Sequence, residues 1–94
     1  MHPVNAEFRR ETRVSFHGEV LLYPKEIHGY VVGRLLDISK NGFRVEHNFE
    51  AIPPGREIGF KHLYAQGFAR VAWTQRVGGY IQCGCEIIHE PTYL

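Results

Sequence analysis

Apolar and polar residues alternate with a period of two along most of the chain, and no stretch carries the 3.6-residue apolar stripe of an amphipathic helix. Alternation of this kind is typical of β-strands with one face against a core. It predicts six strands, at residues 14–23, 30–38, 42–46, 56–63, 67–75 and 79–88.

Turn residues separate these strands at regular intervals. Pro24 ends the first strand, residues 39–42 read Ser-Lys-Asn-Gly, residues 52–55 read Ile-Pro-Pro-Gly, and residues 77–79 read Val-Gly-Gly, as a hairpin turn would. Short strands separated by such turns predict an all-β fold. A six-stranded antiparallel β-barrel is favoured because closure removes exposed sheet edges. Residues 1–13 lie outside the pattern, so we expect a flexible N-terminal arm followed by a barrel over residues 14–94.

Length and charge narrow the possible functions. Ninety-four residues make one small domain, and a composition of 44% hydrophobic and 22% charged residues is that of a folded globular chain. Eleven Lys and Arg against ten Asp and Glu give a net charge of +1, which does not favour a nucleic-acid partner. The charged first residues do not form a secretory signal, and no apolar run is long enough to span a membrane, so a cytoplasmic location without membrane insertion is expected.

The two cysteines, Cys83 and Cys85, are one residue apart and would share a strand face. We interpret them as a reduced pair, since the six histidines show no spacing that would complete a metal site. The sequence also lacks a nucleophile–base pair and a phosphate-loop motif. The prediction is therefore a binding protein, without cofactor or metal, and not an enzyme.

Two short clusters carry candidate binding chemistry, and the first contains Arg9, Arg10 and Arg13. A guanidinium donates two parallel hydrogen bonds to phosphate and also stacks on flat rings. A solvated terminal charge cluster is the alternative.

The second cluster contains Asp37, Ser39 and Gly42, at the end of the second predicted strand. A carboxylate can accept the adjacent N1–H and N2–H donors of guanine, Ser39 can donate, and Gly42 permits a positive φ or the close approach of a ligand. Alternatively, Asp and Ser satisfy their own turn and the glycine completes a hairpin.

Taken together, Arg9-x-x-x-Arg13 followed by Asp37-x-Ser39-x-x-Gly42 resembles the paired motifs of the PilZ domain family. Residues 71–73 (Val-Ala-Trp) look like the family's penultimate strand, and residues 80–87 look like its closing strand with a central glycine, so the resemblance covers residues 8–88. It implies a six-stranded antiparallel barrel that binds the bacterial second messenger cyclic di-GMP.

The resemblance also implies roles for individual residues. Arg9 and Arg13 would clamp phosphates and guanine faces, Asp37 would bind a guanine edge, and Ser39 and Gly42 would shape the turn beneath the ligand. Arg10 departs from the usual spacing of the family's doubled arginine, and the chain after residue 88 is too short for the C-terminal helix of many members.

The expected function is a receptor or adaptor whose N-terminal arm orders when cyclic di-GMP binds and which then signals to a protein effector. One alternative is a PilZ-like protein-interaction module that binds no nucleotide. Another is an oligonucleotide-binding barrel, in which aromatic side chains stack on bases. The aromatic candidates for that function are Phe43, Phe60, Tyr64, Phe68 and Trp73.

Overall fold

The computed structural model describes residues 14–25 and 27–94 of the chain, and all regular secondary structure in these ranges is β-strand. The strands are β1 (Val14–Pro24), β2 (Val31–Ile38), β3 (Gly42–His47), β4 (Glu57–Lys61), β5 (Ala65–Val77), β6 (Tyr80–Ile87) and β7 (Thr92–Tyr93). Each of the six predicted strands is present, with its ends moved by a few residues.

The first six strands close into a barrel. They follow the order β4-β1-β2-β3-β6-β5, every neighbouring pair is antiparallel, and the pairing of β4 with β5 closes the circuit. The predicted six-stranded antiparallel β-barrel is therefore confirmed. The two-residue strand β7, which the sequence pattern did not predict, pairs with the beginning of β5.

The period-two pattern sends one face of each strand into the barrel. In β2, for example, Val31, Gly33 and Leu35 are buried, whereas Val32 and Arg34 between them are exposed. Phe43 and Phe60 meet inside, with their ring centroids 4.8 Å apart. The buried apolar side chains are Val20, Leu22, Val31, Leu35, Phe43, Val45, Ile52, Ile58, Phe60, Ala65, Ala69, Val71, Ile81, Cys83 and Cys85.

The hairpin between β5 and β6 confirms the turn predicted at residues 77–79. Val77 pairs with Tyr80, so Gly78 and Gly79 form a two-residue loop. Gly78 has a φ of +61°, in the left-handed region that glycine adopts without a steric penalty.

Two register shifts change which residues lie opposite each other. In β2 the register against β3 shifts between Leu35 and Asp37, and in β5 the register against β6 shifts between Val71 and Trp73. A β-bulge of this kind inserts one extra residue into one strand of the pair. The shift in β2 places the buried Asp37 opposite Arg44.

No helix in the described parts of the chain has the length and apolar character needed to cross a membrane.

Candidate ligand-binding site

Five strands bring their residues into one lateral row across the barrel wall. Strand pairing places Ser15 of β1 beside Asp37 of β2, Asp37 beside Arg44 of β3, Arg44 beside Gly84 of β6, and Gly84 beside Trp73 of β5. Adjacent strands are separated by about 4.8 Å, so the row spans about 19 Å. The motif residue Asp37 thus shares one band of the barrel wall with residues that come from distant parts of the sequence.

Asp37 holds the guanidinium group of Arg44. The Nε of Arg44 donates to Oδ2 of Asp37 over 2.7 Å, and a terminal guanidinium nitrogen contacts the same oxygen. The Asp37 side chain is 6% exposed and that of Arg44 is 41% exposed. A buried carboxylate needs such donors, because removal of a charge from water is costly unless it is paired. Asp37 is therefore an acceptor that binds two N–H donors of one planar group.

Ser39 closes the turn that follows β2. Its backbone N–H donates to the carbonyl oxygen of Gly42 over 2.9 Å, and its hydroxyl donates to the same oxygen over 3.4 Å. The carbonyl of Asn41 accepts from the N–H of Ile87 over 2.8 Å, which ties the turn to the end of β6. Ser39 thus makes the hydrogen bonds of the alternative interpretation, in which the serine bonds within its own turn.

The close approach of strand β6 requires a glycine at position 42. Its φ is not positive, and a Cβ built on it would lie 2.1 Å from the carbonyl oxygen of Cys85. Only a residue without a side chain permits β3 and β6 to approach this closely. The close approach that the sequence suggested at Gly42 is therefore made by the protein backbone.

Trp73 lies across Gly84 on the outer surface of the barrel. A Cβ on Gly84 would meet the Nε1 of Trp73 at 2.1 Å, and the indole is 36% exposed. The groove beside it, of about 920 Å³, also reaches Gly42, Arg70 and Glu86. A groove of this volume is in the range of small-molecule sites.

Sequence reasoning did not identify Arg44 as part of this site. Its signal was weak, because an arginine at an outward position of a strand is ordinary on any barrel surface. Only its register opposite Asp37 gives it a role.

The three predicted arginines, Arg9, Arg10 and Arg13, lie outside the described residues, so the structure does not place them. The pairing of Val14 with Ile38, however, brings the beginning of β1 to the end of β2, next to the Ser39 turn.

A second group of polar side chains lies inside the barrel. The Sγ of Cys83 is 3.6 Å from Nε2 of His47 and 3.5 Å from Oγ1 of Thr74, whose hydroxyl donates to the carbonyl of Ile52 over 2.6 Å. Burial raises the pKa of the Cys83 thiol and also that of Cys85. Both cysteines are free and buried, and both thiols are shielded from solvent in their protonated form.

Residues 14–25 and 27–94 contain no group of three or more His, Cys, Asp or Glu side chains that could hold a metal ion.

The aromatic side chains considered for base stacking divide between core and surface. Phe43 and Phe60 are 1% and 2% exposed and belong to the core. Tyr64, Phe68 and Trp73 are at least partly accessible. The five rings therefore do not form a single stacking platform.

No protein-family model matches the chain, and no curated protein is significantly similar to it.

Proposed function

We propose that this protein is a receptor for cyclic di-GMP that signals to a protein effector. The observation that carries the proposal is the hydrogen-bonding state of Asp37. Its buried carboxylate accepts two N–H donors from the planar guanidinium of Arg44, one of them over 2.7 Å. Guanine presents a similar chemical unit, because its C2 is bonded to N1, N2 and N3 as in a guanidine, and N1 and N2 carry two adjacent N–H donors. Asp37 is thus an acceptor of the kind that guanine recognition requires.

The position of Asp37 relative to the chain terminus also supports the proposal. β1 begins beside the end of β2, so the segment that contains Arg9 and Arg13 joins the barrel at this motif. Phosphates of the ligand would bind between these guanidinium groups, which donate charge-assisted hydrogen bonds and stack on purines. The order and separation of the two motifs resemble those of the PilZ family, in which this pairing binds cyclic di-GMP.

Each remaining motif residue has a defined part in the proposed complex. Ser39 and Gly42 hold the turn beneath the ligand, since Ser39 donates to the Gly42 carbonyl and Gly42 lies against β6. Arg10 adds positive charge near the phosphates. The protein performs no chemistry on the ligand, and Asp37 acts as an acceptor only.

A second candidate is a PilZ-like interaction module that binds no nucleotide. The hydrogen bonds that the motif makes within the protein favour this candidate: Asp37 pairs with Arg44, and the Ser39 hydroxyl bonds within its own turn. In that case the motif would have a structural role, and the output would come from a protein contact alone.

Isothermal titration of the full chain with cyclic di-GMP, and with cyclic di-AMP as the matched control, tests the proposal. We expect about micromolar affinity for cyclic di-GMP, from a few charge-assisted contacts offset by the cost of ordering the arm. Cyclic di-AMP should bind far more weakly, because adenine lacks the N1–H and N2–H donor pair.

The site variants Arg9→Ala, Arg13→Ala and Asp37→Ala should each weaken cyclic di-GMP binding about tenfold or more. Arg10→Ala should have a smaller effect. Equal affinity for the two dinucleotides would remove Asp37 from its assigned role. No binding of either dinucleotide would favour the interaction module.

A further inference from the structure

The Arg44–Asp37 pair lies where the proposed function needs an accessible carboxylate. Both guanidinium contacts are to one carboxylate oxygen, Oδ2. With the Asp37 side chain 6% exposed, this oxygen is not open to a second planar group while Arg44 remains in place. A guanine edge and the Arg44 guanidinium therefore require the same acceptor.

We infer that Arg44 is an autoinhibitory residue that competes with guanine for Asp37. This inference rests on the proposed function. In the free protein the guanidinium occupies the acceptor, and a ligand must supply an equivalent pair of N–H donors to displace it. Guanine supplies this pair, and its affinity is lowered by the cost of releasing Arg44 from the carboxylate.

The exposure of the two partners makes such an exchange physically reasonable. Arg44 is 41% exposed, so its guanidinium can turn into solvent and be hydrated or meet the anionic ligand, whereas Asp37 is fixed in the wall of the barrel. The carboxylate would be left buried without these donors only during the exchange, because guanine takes their place. The observed association constant is then the intrinsic association constant multiplied by the fraction of time for which Arg44 is away from the carboxylate.

Arg34 provides a matched control on the same pair of strands. Its Nη2 bonds to Oε1 of Glu46 over 2.7 Å, in an ion pair that also joins β2 to β3, and its side chain is 53% exposed. Loss of Arg34 removes the same charge from the same region without removing the contact between Arg44 and Asp37. Any difference in ligand affinity between Arg44→Ala and Arg34→Ala therefore reports the contact of Arg44 with Asp37 and not the general electrostatic field.

The test is isothermal titration of cyclic di-GMP into the wild-type chain, Arg44→Ala and Arg34→Ala. We expect Arg44→Ala to bind about tenfold more tightly than the wild type, because one charge-assisted contact no longer has to be displaced. Arg34→Ala should match the wild type or bind slightly more weakly. In an Asp37→Ala background, Arg44→Ala should have no effect, since no carboxylate remains to compete for.

The outcomes separate the inference from the proposed function. If the wild type binds and Arg44→Ala binds equally or more weakly, the competition is wrong and the receptor function stands. If neither the wild type nor Arg44→Ala binds cyclic di-GMP, the receptor function is wrong and the proposed competition is wrong as well. Binding by Arg44→Ala alone would support both.

A measurement on the unmodified protein covers the case in which Arg44→Ala fails to fold. The Nε–H of Arg44 is hydrogen-bonded in the free protein, so its proton should exchange slowly with water in ¹⁵N–¹H spectra. Saturating cyclic di-GMP should make this exchange fast. A proton that stays protected in the complex would overturn the proposed displacement.

Discussion

Two buried histidines, His47 and His62, each accept a backbone hydrogen bond from the residue two positions later. The N–H of Phe49 donates to Nδ1 of His47 over 3.1 Å, and the N–H of Tyr64 donates to Nδ1 of His62 over 3.2 Å. The proton of each neutral ring must therefore be on Nε2. Burial lowers the pKa of both rings below the usual 6.5, so the fold selects the neutral form.

At the residue scale this predicts that acid destabilises the barrel. Because both pKa values are lower in the folded state, the unfolded chain binds more protons below about pH 6.5. The free energy of unfolding should be fully retained above that pH and should fall below it, by at most about 1.4 kcal/mol per pH unit for each histidine. Urea denaturation between pH 7.5 and 5 measures this slope.

The double variant His47→Asn, His62→Asn tests the origin of the slope. Asn keeps an acceptor near the position of Nδ1 but does not titrate, so the free energy of unfolding should depend less steeply on pH. His28, which is exposed, provides the control: His28→Asn should leave the slope unchanged. A double variant with the wild-type slope would mean that other groups control acid sensitivity.

At the scale of the strands, two glycines determine how closely β6 meets its neighbours. Gly42 faces the backbone carbonyl of Cys85, and Gly84 lies beneath the indole of Trp73. A hypothetical Cβ would be 2.1 Å from the nearest atom in each case, yet the two neighbours differ in their freedom to move. A side chain can rotate away, whereas a strand backbone must shift together with its ladder.

Alanine substitutions should therefore differ in a defined order. Gly84→Ala should cost about 1–3 kcal/mol of unfolding free energy, as overpacking generally does. It should also change the fluorescence of Trp73, the one tryptophan of the chain. Gly42→Ala should cost more, because β3 and β6 would have to separate. Gly79→Ala, which would meet nothing within 4 Å, is the control and should be nearly neutral in urea denaturation. Equal losses at residues 42 and 84 would contradict this account.

At the scale of the whole molecule, the strand circuit is complete from Val14 onward. β1 pairs with β2 from Val14 to Leu22 and with β4 from Leu21 to Pro24, so strands within the described residues close the circuit. Ligand binding and barrel stability should therefore be separable along the chain. The arm would carry phosphate recognition through Arg9 and Arg13, and the barrel would carry Asp37.

Two truncations test this division. Deletion of residues 1–7 should leave the affinity for cyclic di-GMP nearly intact, whereas deletion of residues 1–13 should abolish binding. Both truncated chains should keep the β-sheet circular dichroism and nearly the unfolding midpoint of the full chain. In the full chain, the ligand should raise the backbone order parameters of residues 8–13 and leave those of the strands unchanged. Full affinity in the chain that begins at Val14 would exclude the arm from the site.

Local rules were sufficient for most of the fold. The period of two follows from backbone sterics within each strand, so the sequence by itself determined six strands, their alternating faces and the shared face of Cys83 and Cys85, which the structure shows to be buried. The Gly78-Gly79 hairpin was equally predictable, because few residues accept a positive φ. The motif Asp37-x-Ser39-x-x-Gly42 could likewise be identified from sequence, as a turn with candidate ligand chemistry.

Only the tertiary structure decided what that motif contacts. Closure by β4 and β5, the bulge beside Asp37, and the register that places Arg44 beside Asp37 and Gly84 depend on strand pairings that span many residues. A one-residue change of register would reverse every side chain in a strand, and no local pattern reports where a bulge makes that change. The donors at Asp37 and the reason for Gly42 therefore emerge only when distant strands meet.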